Sequence, residues 1–142
     1  MKYPTKIDLI ETNKYHVIKD FWLTEEQLET IINSIFLNKD IWRLISTRQK
    51  LSENFINKYW DELDIPCILK HQKINEKFIY EHEEQLKYKF HWDAISMHVS
   101  KKFSEDFFIK FHDRLNIEFL NYRKIISDDL YLKLIIMKKL VE

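Results

Sequence analysis

The chain has no glycine among its 142 residues, and it has only two prolines. Walker-type phosphate loops, dinucleotide-binding turns and the nucleophile elbow of many hydrolases all need backbone conformations that glycine supplies. Tight two-residue hairpins depend on glycine in the same way. The sequence therefore excludes these motifs and the activities that are built on them.

The chain also lacks a pair of cysteines and any long apolar run. Cys67 is the only cysteine, so no disulfide can form within the chain. No apolar signal-peptide core follows the N-terminus, and the longest uninterrupted apolar run, 134–137, is far too short to cross a membrane. We therefore expect a cytoplasmic protein without membrane association, located in the host cytoplasm if the gene is viral.

The chain has no excess of either charge, because 23 basic and 23 acidic side chains give a formal net charge of zero. Residues 51–100 carry nine acids and six bases, whereas residues 101–142 carry nine bases and seven acids. The basic excess is too weak for a nucleic-acid surface. The acidic excess is typical of a solvated helix face, although it could also face a basic partner.

The chain uses chemically similar amino acids in very unequal numbers. The chain has 20 Ile but 3 Val, and 19 Lys but 4 Arg, while apolar residues make up 45% of the whole. The depleted residues are mostly those with codons rich in G or C, so the composition indicates an AT-rich genome, such as that of many phages, large DNA viruses or low-GC bacteria. The apolar content is enough to build a buried core.

What the chain does contain is an internal repeat. Residues 49–63 match 72–86 with six identities in 15, and residues 49–64 match 101–116 with seven identities in 16. Unrelated stretches of this length would share about one residue. A fourth, weaker copy follows. The sequence therefore predicts a single domain with an N-terminal cap segment and helix, then four repeats: 1–40, 41–63, 64–90, 91–115 and 116–142.

Each repeat has the pattern of two short helices. The second helix has apolar residues at helical spacing, for example Phe55, Ile56, Tyr59 and Leu63. A polar side chain that can cap the helix precedes each of these second helices: Ser52, Asn75, Ser104 and Ser127. A repeat of about 23 residues cannot bury its own apolar face, so it must stack on its neighbours. The predicted fold is all-α, with helix-turn-helix repeats stacked as a small solenoid.

The N-terminal residues fall outside this pattern. Residues 5–18 partly alternate between apolar and polar positions, which favours a small β-hairpin with Tyr15 and Val17 in its second strand. An amphipathic helix is predicted over 24–37. Residues 23–28 match the start of a second helix and could belong to a more divergent leading repeat.

The first repeat carries the residues of a recognisable motif: Trp42, Ile45, Ser46, Gln49, Leu51, Ser52, Glu53, Phe55 and Ile56. This motif resembles the W-x-x-I-S-x-x-Q-x-L-S-E-x-F-I helical repeat of proteins from phages and large DNA viruses. The likeness covers about 41–130 and weakens along the chain, with Ile65 where tryptophan is usual. The resemblance implies a helical array of viral origin and implies no catalytic residues.

Three sets of residues could carry metal or acid–base chemistry. His112 and Asp113, with Asp128 and Asp129 downstream, have the composition of an all-α metal phosphohydrolase site. However, His112 aligns with Trp60 and Glu83, which we expect on the exposed face of every repeat, so this interpretation is disfavoured.

The other two sets are incomplete. His91 and Asp93 have the spacing of an iron-binding facial triad, but a suitably distant third histidine and the required β-barrel are missing. Cys67 and His71 lie four residues apart on a predicted helix and would form half of a zinc site. No second half has matching spacing, so a packed thiol and a surface histidine are expected. We expect no metal and no cofactor.

The sequence thus favours a non-enzymatic protein-interaction module, one that binds and blocks a host protein such as a defence or host-takeover target. The partner would be a host or viral protein. The alternative is a nucleic-acid-associated protein that uses scattered lysines and aromatic residues, and a small all-α metal-dependent hydrolase is more distant.

Comparison of the repeats suggests where such a partner binds. Trp60 is replaced by Glu83 and His112 in later repeats, so it is unlikely to lie in the deep core and is expected to be at least partly exposed. An exposed tryptophan beside tyrosine and carboxylates has the composition of a binding hot spot. Packing of Trp60 on the N-terminal segment is the alternative. The candidate partner-binding residues are Trp60, Asn57, Asp61, Tyr80 and Glu84.

The last predicted helix, 127–142, is apolar on nearly all sides. A terminal repeat normally needs a polar outer face for solubility. The sequence therefore predicts that this helix either packs against the N-terminal segment or forms a homodimer, and the dimer is favoured slightly.

Overall fold

The structure, a computed structural model, describes residues 1, 14–34 and 37–141, and every regular element within those ranges is an α-helix. The all-α prediction is therefore confirmed for the described residues. The helices in chain order are α1 (Lys14–Asp20), α2 (Glu25–Ser34), α3 (Lys39–Arg48), α4 (Glu53–Lys58), α5 (Ile65–His71), α6 (Glu76–Glu81), α7 (Lys89–His98), α8 (Glu105–Lys110), α9 (Ile117–Tyr122) and α10 (Asp128–Val141).

The helices group into an N-terminal unit, Met1–Gln72, and a C-terminal unit, Lys73–Glu142. In the N-terminal unit α3 packs against both α1 and α5. In the C-terminal unit α7 packs against α9, and α10 packs against α8 and α9. The first helices of successive repeats are therefore neighbours within each unit. The division into one domain with four repeats stays a prediction.

The second helix of each repeat begins at the residue that the sequence indicated. The side chains of Ser52, Asn75, Ser104 and Ser127 each accept a hydrogen bond from the backbone N–H three residues later, at 2.8–3.2 Å. These bonds satisfy amides that the helix leaves unpaired. Thr24 makes the same bond at the start of α2, so the leading helix pair begins its second helix in the same way.

Serine hydroxyls join the first helices of successive repeats. Ser46 and Ser96 each donate to the tryptophan carbonyl one turn earlier, at 2.8 and 2.7 Å. Each also accepts from the backbone N–H of the residue that caps the next first helix, Asp64 at 3.0 Å and Asn116 at 2.9 Å. Both serines are buried. A small side chain at this position therefore permits a close approach and supplies the bond that fixes it.

Gln49 joins the first repeat to the leading helix pair. Its amide nitrogen donates to the carbonyl oxygens of Ile18 and Phe21 at 2.6 and 2.8 Å, and its side-chain oxygen accepts from the backbone N–H of Leu23 at 2.9 Å. The side chain is buried. A single glutamine thus satisfies three backbone groups at the end of α1 and in the loop that follows.

Gln72 makes the equivalent set of bonds 23 residues later. Its nitrogen donates to the carbonyl oxygens of Ser46 and Gln49 at 3.0 and 2.8 Å, and its oxygen accepts from Leu51 at 3.2 Å. Each backbone partner lies 28 residues after the corresponding partner of Gln49. The segment from α1 to α2 is therefore contacted in the same way as a repeat.

The predicted N-terminal hairpin is wrong in its second strand, because Tyr15 and Val17 lie in α1. Val17 and Ile18 are both buried, and α1 packs on α3. Two adjacent buried residues cannot face one side of a strand, but they fit the inner face of a helix. The first strand of that hairpin lies outside the described residues. The helix predicted over 24–37 is observed as Glu25–Ser34.

The serine caps lead to a stability prediction. We expect Ser52→Ala to lower the free energy of unfolding by about 1 kcal/mol, because the substitution removes the bond to the backbone N–H of Phe55. Urea denaturation monitored by circular dichroism measures the change. Thr30→Ala, an exposed change inside α2, is the control and should not destabilise the protein. Equal midpoints for Ser52→Ala and the wild type would contradict the capping role.

Candidate functional site

The predicted partner-binding residues are distributed over the two units. Asn57, Trp60 and Asp61 belong to the N-terminal unit, on α4 and the turn after it. Trp60 is half-buried, in agreement with the partial exposure inferred from the repeat comparison, and Asn57 and Asp61 are exposed. The alternative, packing of Trp60 on the N-terminal segment, stays a prediction, and residues 2–13 of that segment lie outside the described ranges.

Tyr80 and Glu84 belong to the C-terminal unit. The Tyr80 ring packs on Phe111, with 5.3 Å between the ring centroids, and on the edge of Phe107. The ammonium group of Lys110 lies 5.7 Å from the Tyr80 ring centroid. Partial burial raises the pKa of the Tyr80 hydroxyl. These rings therefore hold Tyr80 against the core, while 38% of its surface remains exposed.

Glu84 lines an open groove of about 900 Å³ in the C-terminal unit. The groove lies between the segment that connects α6 to α7 and the segment that connects α8 to α9. The lining side chains are mostly charged, with five carboxylates and four cations: Glu83, Glu84, Asp93, Asp113, Glu118, Lys87, Lys89, Arg114 and Lys138. Such a lining suits recognition of a polar surface that carries both charges.

Trp92 fixes one side of this groove. Its indole N–H donates to the carbonyl oxygen of Leu86 at 2.7 Å, and the side chain is almost fully buried. The guanidinium group of Arg114 lies 5.2 Å from the Trp92 ring centroid and 3.8 Å from the carboxylate of Glu83. Lys110 is 3.3 Å from the same carboxylate. The contact with Trp92 and the ion pair with Glu83 therefore hold Arg114 in place at the edge of the groove.

The position shared by Trp60, Glu83 and His112 is less exposed than the alignment with an exposed helix face predicted. All three side chains are half-buried. His112 Nδ1 lies 2.7 Å from the carbonyl oxygen of Ile109, and Nε2 is buried without a hydrogen-bond partner. The repeat comparison correctly indicated that the position avoids the deep core, but it overstated the exposure of the side chain.

His91 and Asp93 do not form a shared ligand set. They lie two residues apart on α7, which directs their side chains to different sides of the helix. His91 is buried, with its ring against Phe90, whereas Asp93 pairs with Lys89 at 2.8 Å. Burial lowers the pKa of His91.

Cys67 and His71 on α5 show the arrangement expected of a packed thiol and a surface histidine. Cys67 is half-buried and burial raises the pKa of its thiol, while His71 is exposed. Within the described ranges, no group of three or more His, Cys, Asp or Glu side chains is arranged to hold a metal ion.

His91 gives the protein a predicted pH dependence. Because burial lowers its pKa in the folded state, the unfolded chain binds more protons below pH 6.5. His91 should therefore contribute stability above pH 6.5 that is lost as the pH falls towards the lowered folded pKa. Urea midpoints between pH 7.5 and 5.5 measure this loss, which His91→Gln should reduce. His71→Gln, at an exposed site, is the matched control. An identical pH dependence of the urea midpoint for His91→Gln and the wild type would show that His91 does not cause the loss.

Sequence reasoning missed an aromatic pair between the second and third repeats. The rings of Tyr88 and Phe90 stack at 5.2 Å between centroids with an angle of 9° between their planes, and both are largely exposed. Lysines occupy the neighbouring positions 87 and 89. The alternation of Lys and aromatic residues was visible in the sequence. The stacking of the two rings was not, because it depends on the backbone conformation that leads into α7.

Comparison with family models, curated proteins and solved structures finds no match to this chain. Among the helices of the described residues, none is long and apolar enough to span a membrane.

Proposed function

We propose that the chain is a non-enzymatic protein-interaction module in which helix-pair repeats stack as a small solenoid and present a binding face to a partner protein. Its action is to bind and block that partner. The resemblance of the repeat motif to proteins of phages and large DNA viruses, together with the AT-rich composition, supports a viral gene and a host protein as the target.

One observation carries this proposal. Two positions that join neighbouring helix pairs keep the same residue and the same bonds in two repeats each, Gln49 with Gln72 and Ser46 with Ser96. On the turns after the second helices, the position of Trp60 changes instead to Glu83 and then to His112, although the positions of Asp61 and Leu63 keep an acid and a leucine in these repeats. A constant framework that carries a variable surface is typical of repeat proteins that bind other proteins.

The candidate residues have the chemistry that such binding requires. Trp60 and Tyr80 are partly exposed aromatic side chains. Asp61 follows Trp60 directly, and Glu84 lies four residues after Tyr80. Aromatic residues at the centre of an interface contribute most of its binding energy, whereas neighbouring charges set orientation and association rate. Each unit therefore offers an aromatic anchor with an acidic neighbour.

The test compares quantitative affinity capture from host-cell lysates with three baits: the wild type, Trp60→Ala and Tyr122→Ala. Tyr122 is the matched control because it is an aromatic residue with 81% exposure outside the candidate residues. We expect one protein to be retained by the wild type and Tyr122→Ala, with affinity for Trp60→Ala at least ~30-fold lower, which is ~2 kcal/mol.

The melting temperature of Trp60→Ala should stay within a few degrees of the wild type. A variant that unfolds would place Trp60 in the core and remove it from the proposed face. Equal capture by all three baits would contradict the proposed residues, and recovery of nucleic acid in place of a protein would contradict the proposed class of partner.

A nucleic-acid-associated function is the second candidate, and the Tyr88–Phe90 pair favours it. Exposed aromatic rings with alternating lysines are typical of surfaces that bind single strands by base stacking and phosphate contacts. Fluorescence anisotropy with a labelled single-stranded oligonucleotide tests this candidate. Binding that falls steeply with added salt and is lost in Phe90→Ala would support it, while an absence of binding at low salt would reject it.

A further inference from the structure

The helix α10 presents an apolar stripe to solvent. Leu132, Ile136 and Leu140 follow at intervals of four residues, and they are 58%, 59% and 80% exposed. The opposite side of α10 is covered, since Leu134 is fully buried and the helix packs on α8 and α9. The stripe is therefore separate from the side of α10 that packs in the fold.

Charges lie on the same side of α10 as the stripe, and the two ends carry opposite signs. Asp129 lies three residues before Leu132, and Lys139 lies three residues after Ile136. These spacings place both charges on the exposed face. Ten residues along a helix correspond to about 15 Å, so the acid and the base bracket the stripe from opposite ends.

We propose that this face of α10 binds the same face of a second copy of the chain, with the two helices antiparallel about a two-fold axis at the level of residue 134. Residues 132 and 136 lie two positions on either side of that level, so Leu132 of each copy meets Ile136 of the other. Residues 129 and 139 lie five positions on either side, so Asp129 meets Lys139 in the same register. Apolar contact and charge complementarity thus agree on one register.

Two further charges lie on or beside this face, and each pairs within its own chain. Asp128, four residues before Leu132, pairs with Lys124 at 3.8 Å; in the proposed register it lies opposite Leu140, so Leu132 and Ile136 carry the apolar contact. Lys133 lies beside Leu132, but its ammonium group pairs with Glu105 of the same chain at 3.4 Å. Self-complementary surfaces of this kind are those that two-fold dimers require. The exposed apolar stripe supplies less than about half of the ~800 Å² that each partner buries in a standard interface. The dimer is therefore expected to be weak, with a dissociation constant on the order of 10–100 μM.

The test is a charge exchange measured by sedimentation equilibrium at protein concentrations up to about 200 μM, above the expected dissociation constant. The wild type should dimerise. Asp129→Lys alone and Lys139→Asp alone should each weaken the dimer at least tenfold, because each substitution places like charges opposite one another twice. An equimolar mixture of the two variants should dimerise again, since both cross-pairs are then of opposite charge. Ile136→Asp should abolish the dimer.

Circular dichroism melts show whether the variants fold. Asp129→Lys and Lys139→Asp each also place an unfavourable charge at one end of the helix dipole. Each chain keeps that charge in the mixture, so the helix dipole cannot explain a recovery of the dimer there. A wild type that stays monomeric at every concentration would overturn the proposal. A dimer that persists in Ile136→Asp, or a mixture no more dimeric than the single variants, would overturn it as well.

Discussion

Phe107→Ala should lower the free energy of unfolding by about 3–5 kcal/mol. Phe107 is fully buried at the start of α8, and its ring contacts several aromatic neighbours: Tyr80, Phe103, Phe108 and Phe111. Truncation would leave a cavity that the surrounding rings cannot fill without leaving their preferred rotamers. Urea denaturation monitored by circular dichroism provides the measurement.

The equivalent residue of the first repeat gives an independent test of the same idea. Phe55 is buried, and its ring packs on Tyr59 with 4.7 Å between the centroids, so Phe55→Ala should cost a similar amount. Tyr122→Ala is the control, because it removes a large aromatic side chain that is mostly exposed. Denaturant midpoints that move no further for the two phenylalanine variants than for Tyr122→Ala would refute the repeat as a structural unit.

Gln49→Leu should cost about 3 kcal/mol or more, although leucine is similar in size. The substitution leaves the carbonyl oxygens of Ile18 and Phe21 and the backbone N–H of Leu23 without their partner. Each buried polar group that loses its hydrogen bond costs about 1–3 kcal/mol. Because Gln49 is buried, water cannot easily replace the missing bonds. The same denaturation experiment measures the loss.

Gln72→Leu is the matched comparison. Gln72 makes the equivalent three bonds but is only half-buried, so water can satisfy part of what the substitution removes. We expect a smaller loss than for Gln49→Leu. A loss below 1 kcal/mol in both variants would show that the glutamine bonds do not hold the helix pairs together.

Features that depend on neighbouring residues could be predicted from the sequence. The caps at Ser52 and Ser104 and the burial of Phe55 and Phe107 follow from signals within one helix, and repetition along the chain strengthened each of them. The apolar residues on nearly all sides of α10 were likewise visible in the sequence, whereas the choice of the exposed side depends on its packing against α8 and α9.

Features that depend on distant residues could not be predicted. Gln49 was visible only as a repeated residue, because its partners belong to a segment whose Tyr15 and Val17 alternate like a strand but form a helix. The groove beside Glu84 requires segments about 30 residues apart in sequence to meet. His112 is half-buried, with Nε2 buried, although the pattern around it in the sequence indicated an exposed position.

We conclude that, within each unit, neighbouring helix pairs are joined by side chain-to-backbone bonds of the same kind. Amide hydrogen exchange measured by NMR tests it most directly, at four backbone N–H groups that lie outside the helices: Leu23, Leu51, Asp64 and Asn116. We expect each to exchange on the order of 100-fold more slowly than in an unfolded chain. Gln49→Leu should remove the protection of Leu23, and Ser46→Ala that of Asp64. Exchange at unfolded-chain rates at these four positions, in a protein that remains helical, would contradict the account.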